Sequence, residues 1–119
     1  MAEDKSKYYR PVWTSGSYNE EKQTSSLYNL IEGVSHYFDS VSAVVIGSFI
    51  AIGRNKEIEL SKISQATNIP VEDLDGFAHE LCRLGLLTKK VLSNDEIVAY
   101  RKAVAENNKL NYNRNKVMP

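Results

Sequence analysis

Cysteine is almost absent: Cys82 is the only one in 119 residues, so no disulfide can form within the chain. That usage fits a reducing compartment and gives the expectation of a cytoplasmic protein. Long apolar runs are missing too. The longest stretch without charge, residues 40–53, is 14 residues long, whereas a membrane-spanning helix needs about 20. No membrane association is expected, and the stretch reads as a buried core helix. Residues 1–7 are polar and carry both signs of charge, which argues against a secretory signal there. Neither GxGxxG nor GxxxxGKS occurs, so no glycine-rich phosphate cradle is expected. No strand–turn–helix elbow surrounds a serine. The expectation is therefore a non-enzyme with no cofactor. An excess of charge is also missing, because 15 lysines and arginines meet 15 aspartates and glutamates. A dedicated nucleic-acid binder usually shows a basic surplus, so the total gives that class no support and the distribution has to decide.

What is present is the composition of one soluble domain, 42% hydrophobic and 25% charged, enough for a core without staples at this length. The charge is unevenly placed. Residues 71–85 carry Glu72, Asp73, Asp75 and Glu80 against Arg83, a net of −3. Residues 102–119 carry Lys102, Lys109, Arg114 and Lys116 against Glu106, a net of +3. Residues 1–24 read as an N-terminal arm. Tyr8, Tyr9, Trp13 and Tyr18 are unusual in a solvated tail, since disordered segments are poor in aromatics. The arm is expected to lie over its own domain or to dock on a partner subunit. Residues 25–110 read as the domain and 111–119, which lack an apolar face, as a frayed tail. No internal repeat is read.

Within the domain, Leu27, Leu30, Ile31, Val34, Phe38 and Val41 recur at steps of three and four, which predicts an amphipathic helix over 25–38. A second helix, 41–53, is apolar nearly all round and should be buried on most sides. Ile58-Glu59-Leu60 alternates and suits a short strand. Ser61 is placed to cap a helix over 62–67, and Asn68 to close it in the left-handed conformation. Pro70 then opens a helix over 71–84 with Glu72 and Asp73 in its first turn. Val71, Leu74, Phe77, Ala78, Leu81 and Leu84 form its buried stripe, and Gly85 stops it. Residues 86–92 and 96–101 read as two strands joined by turn chemistry at Ser93-Asn94-Asp95. A short helix is expected from Lys102 to about Leu110.

Residues 58–101 thus give strand, helix, three-residue turn, helix and hairpin. This order resembles the winged helix-turn-helix superfamily, especially bacterial regulators of the multiple-antibiotic-resistance-repressor (MarR) type. The resemblance rests on Leu60-Ser61-x-Ile63-Ser64, Thr67-Asn68-Ile69-Pro70, Leu74, Leu81 and Leu84-Gly85-Leu86-Leu87. It implies a mainly α fold with a small antiparallel hairpin: a three-helix core plus wing, here with an additional N-terminal helix. It also implies a DNA-binding transcriptional regulator that reads duplex DNA with helix 71–84 in the major groove and the 86–101 wing beside it. The groups then available to DNA are Lys62, Ser64 and Gln65 on the first helix, His79 and Arg83 on the second, and Lys89, Lys90 and Arg101 in the wing. Regulators of this type read two half-sites by symmetry, so a homodimer is expected, with Leu27, Leu30, Ile31, Val34 and Phe38 as candidate interface.

One departure weighs against DNA. The outward positions of helix 71–84 are Glu72, Asp73, Asp75, Gly76, His79 and Glu80, and carboxylates there oppose the phosphate attraction that dominates DNA affinity. The alternative is a winged-helix protein–protein interaction or dimerisation module, as in domains that head small-molecule methyltransferases. His79-x-x-Cys82 places two possible metal ligands one turn apart, but a zinc site needs four, or three plus water, so no metal is expected. Gly76 inside a helix suggests close approach of a neighbour to its backbone, and Gly47 invites the same reading.

Overall fold

The computed structural model describes residues 7–117, with side chains from 7 to 107. Among the described residues lie four helices and five strands in two antiparallel sheets, an α+β architecture. This corrects the expected mainly α fold with one small wing hairpin and an extra N-terminal helix.

The first departure is at residues 25–38, which form two strands and a turn in place of a helix. Strands β2 (Thr14–Asn19), β3 (Thr24–Asn29) and β4 (Val34–Asp39) make an antiparallel meander. The register sets Asn19 opposite Thr24 and Asn29 opposite Val34, leaving the loops 20–23 and 30–33. Both loops are closed by the asparagine that ends the preceding strand. Asn19 Oδ1 accepts the Lys22 N–H at 3.0 Å, and Asn29 Oδ1 accepts those of Ile31 and Glu32, each at 3.0 Å. Each loop ends in the left-handed region, at Gln23 (φ 51°) and Gly33 (φ 72°). A ten-residue repeat underlies this: Thr14-Ser-Gly-Ser-Tyr-Asn19, Thr24-Ser-Ser-Leu-Tyr-Asn29 and Val34-Ser-His-Tyr-Phe-Asp39. The reading of no internal repeat is corrected with it.

One face of the meander packs on helix α1 (Ser40–Ile52), the buried helix expected over 41–53. Two glycines let the layers approach. A Cβ on Gly16 would fall 2.7 Å from the Ile50 side chain, and one on Gly47 would fall 3.0 Å from the Tyr18 ring. The close approach inferred at Gly47 is thus made by Tyr18. The other side of α1 meets β5 (Glu57–Ile58) and helix α2 (Leu60–Thr67), so its sides are occupied by two different layers.

Residues 8–19, expected as part of an arm, belong to the fold. Strand β1 (Tyr8–Tyr9) pairs antiparallel with β5, and Tyr9 also exchanges two 2.8 Å backbone bonds with Thr88. Tyr8 and Trp13 are buried. β1 thereby lies between β5 and the segment at Thr88.

The expected 86–101 hairpin does not form. After helix α3 (Val71–Arg83), Leu86 and Leu87 are buried, Thr88 meets Tyr9, and residues from Asn94 onward are helical, as α4 (Asn94–Val117). The cause is a reciprocal cap. The Glu96 N–H donates to Ser93 Oγ at 3.2 Å while the Ser93 N–H donates to Glu96 Oε1 at 2.9 Å. That is the capping box of a helix start. Ile97, Tyr100 and Val104, at steps of three and four, are the partly buried positions that follow. The expected frayed tail over 111–119 is α4 backbone as far as Val117.

Candidate functional site

The helix–turn–helix at 60–83 follows the local chemistry of its sequence except at its start, where α2 begins at Leu60 with Glu59 as the N-cap and Ser61, the expected cap, lies within the helix. Asn68 adopts φ 62° and donates its N–H to the Ser64 carbonyl at 2.8 Å, closing α2. Pro70 precedes α3, where its missing N–H leaves no bond unmade. The end of α3 is a Schellman motif: the Leu86 N–H reaches the Leu81 carbonyl at 2.9 Å, and the Gly85 N–H reaches that of Cys82 at 3.1 Å. Gly85 holds φ 74° to permit it. Leu74, Ala78 and Leu81 face the core, and Phe77 meets Phe38 of β4 edge-to-face at 6.1 Å.

The outward face of α3 presents Glu72, Asp73, Gly76, His79, Glu80 and Arg83, all exposed. Asp75 is half-buried and accepts the Tyr8 hydroxyl at 2.7 Å. Nothing lies within 4 Å of a Cβ placed on Gly76, so the neighbour inferred from sequence is not supplied by the chain's described residues. With open space and no positive φ, Gly76→Ala is expected to stabilise the chain by about 0.5–1 kcal/mol, read as a higher urea midpoint at unchanged slope. Beside the start of α3 lies a hollow of about 680 Å³ whose walls include Glu57, Glu59, Glu72 and Asp75 against Lys7 and Lys62. A larger hollow, about 970 Å³ among β2–β4 and their first loop, shares no lining residue with the helix–turn–helix.

The structure brings the candidate DNA contacts together only in part. Lys62 is exposed on α2 and paired with Glu59 at 2.8 Å, an interaction that holds its ammonium above the usual lysine range. Gln65 is exposed beside it and Ser64 is half-buried. Arg83 is paired with Glu80 at 2.6 Å on α3. Lys90 is paired with Glu96 at 2.6 Å, and the Lys90 hydrogen bond, with the Ser93 N–H next, pulls the Glu96 carboxyl below the usual range. Lys89 is exposed in the segment between α3 and α4, while Arg101 sits on α4, so no wing unites them. The candidate dimer stripe is dispersed as well. Leu27 is fully buried, Phe38 and Ile31 are partly buried, and Leu30 and Val34 are exposed at the turn and on the edge strand.

Among the described residues no group of three or more His, Cys, Asp or Glu is placed to hold a metal ion. Burial pushes the Cys82 thiol up, and Asp75 adds to this against a downward pull from Lys89, so the thiolate that reactive chemistry requires is disfavoured. Among the described residues no helix is long and apolar enough to cross a membrane.

The site that sequence reading missed lies at the N-terminal end of the fold. Arg10 is 6% exposed, yet no carboxylate bonds to it among the described residues. Its Nη1 donates to the Thr14 carbonyl and hydroxyl at 3.4 and 3.3 Å, and Nε is buried without a partner. Arg54 is its parallel bridge partner. Burial first, and then the Arg54 charge, depresses the Arg10 pKa. Arg10-Pro11 in a presumed arm gave no sequence signal of burial. No family model, curated protein or solved structure matches the chain.

Proposed function

We propose that the chain is a protein-interaction module, neither a reader of duplex DNA nor an enzyme, and that it works in the cytoplasm. Its docking face is the outward side of α3 with the adjoining hollow, and its partner is a basic protein surface. A second copy, offering the +3 segment 102–119, meets that description. The observation that carries this reading is the disposition of charge. Lys62, Arg83 and Lys90 are each tied to a carboxylate of the chain itself. Glu72 and Asp73 stand exposed where base edges would have to be met. Exposed pairs of this kind contribute little to stability, but they neutralise cations that phosphates would need.

The test is fluorescence anisotropy of a labelled random duplex titrated with the chain at about 50 mM salt, a condition under which any phosphate-driven binder should bind. The chain is expected not to bind, whereas a triple variant, Glu72→Gln, Asp73→Asn and Glu80→Gln, is expected to gain weak binding that falls steeply with added salt. Salt-sensitive binding by the parent chain at this salt would overturn the proposal in favour of a DNA regulator.

A further inference from the structure

We infer that Arg10 and Arg54 form the floor and rim of a binding site for a dianionic oxyanion of the phosphate type. Arg10 is nine-tenths buried, a position a guanidinium rarely takes without an anion, because removing its charge from water is repaid only by a close counter-charge and filled hydrogen bonds. Here both are missing. Its two contacts to Thr14, at 3.4 and 3.3 Å, are long, and Nε faces no acceptor. The charge that acts on it is a second cation, Arg54, which is exposed. A guanidinium binds carboxylate or phosphate through two parallel N–H donors. With Nη1 turned to Thr14, the Nε side of the fork is the unused one.

The backbone holds the two arginines together. Arg10 and Arg54 are bridge partners, and the Asn55 N–H donates to the Arg10 carbonyl at 2.8 Å. The 11–14 turn is fixed by the Thr14 N–H and Thr14 Oγ1, which both donate to the Pro11 carbonyl, at 3.2 and 2.9 Å. The backbone of the pair is therefore fixed and the Arg10 guanidinium is held by Thr14, so part of the donor set is in place before a ligand arrives. Two cations on paired backbone positions match an anion of charge −2, which favours a phosphate or a phosphate monoester over a single carboxylate. The site lies where α1 ends and β5 begins, separate from the acidic face of α3, so its fate is independent of the proposed docking role.

The experiment is calorimetric titration of the full chain with inorganic phosphate in a zwitterionic buffer, with sodium chloride holding ionic strength constant, together with thermal unfolding over the same phosphate range. One saturable site per chain is expected, with Tm rising as the site fills. Arg54→Gln, an exposed change, should weaken phosphate at least tenfold while leaving phosphate-free Tm within a few degrees. Arg10→Met should abolish binding and unfold no earlier than the parent in phosphate-free buffer, since the uncompensated charge is gone. Should Arg10→Met fail to fold, Arg54→Gln carries the test. No saturable binding by the parent, or equal affinity in Arg54→Gln, overturns the inference. Glycerol 3-phosphate distinguishes the sources: binding as tight as inorganic phosphate or tighter points to a phosphorylated molecule, and weaker binding points to the free ion, each supporting the site.

Discussion

Trp13→Ala is expected to destabilise the chain by about 3–5 kcal/mol, the range for removing a buried tryptophan. Trp13 is 5% exposed and joins three parts of the molecule. It lies just before β2, its ring stacks on Tyr100 of α4 with centroids 4.5 Å apart, and its Nε1–H donates to the Gly85 carbonyl at 2.9 Å. The alanine variant removes the ring's burial, the stacking and a bond to the residue that terminates α3. Trp13→Phe separates these contributions. It keeps a ring against Tyr100 but leaves the Gly85 carbonyl without its donor, and should cost about 1–3 kcal/mol. Urea unfolding followed by far-ultraviolet circular dichroism measures both. A loss below about 1 kcal/mol for Trp13→Ala would mean that residues 8–19 are an arm outside the domain, as the reading of residues 1–24 from sequence suggests.

That suggestion shows where sequence reading fails and why. Leu27, Leu30, Ile31, Val34 and Phe38 fit a helical stripe by spacing, and the fit is accidental. Leu27 and Phe38 face α1 from neighbouring strands, whereas Leu30 and Ile31 belong to the intervening turn. Periodicity counts only apolar side chains, so it could not weigh Asn29 and Gly33, the two residues that set the turn. A glycine within a helix costs about 1 kcal/mol, and here it occupies φ 72°. The stronger signal was the ten-residue recurrence of Tyr-Asn before each loop, at Tyr18-Asn19 and Tyr28-Asn29. The second failure has the same character. Ser93-Asn94-Asp95 reads as turn chemistry and Glu96 as the start of a strand, yet serine followed by glutamate three places on is also a helix start, and Ile97, Tyr100 and Val104 continue it. Polar residues decided both cases through specific bonds that an apolar pattern does not register.

Where local rules act without competition, sequence and structure agree. The buried helix α1 follows from its unbroken apolar run, and the left-handed Asn68, the position of Pro70 and the glycine stop at Gly85 each follow from one residue's conformational preference. The acidic face of α3 was equally visible, because exposed charge on a helix needs only the helix to be placed. Arg10 was not, because its burial depends on β1 pairing with β5 and Thr88, contacts far apart in sequence.

Asn29→Ala is expected to cost roughly 2–4 kcal/mol, more than its small change in volume suggests, because each polar group left buried without a partner costs about 1–3 kcal/mol. Asn29 is fully buried and uses both ends of its amide. Its oxygen accepts the Ile31 and Glu32 N–H groups, each at 3.0 Å, and its Nδ2 donates to the Tyr100 hydroxyl at 3.1 Å. That hydroxyl in turn donates to Glu32 Oε2 at 3.2 Å, so the turn between β3 and β4 is latched to α4. Burial raises the Tyr100 pKa, with Glu32 adding to the rise and Asn29 opposing it, which keeps the phenol protonated and able to donate. Tyr100→Phe removes the hydroxyl alone and should cost less than Asn29→Ala, since the two turn N–H groups remain paired. The double variant should fall short of the sum of the two single losses, because both act on one bond. Additive losses in that cycle would show that the latch is not formed and that the meander and α4 are stabilised independently.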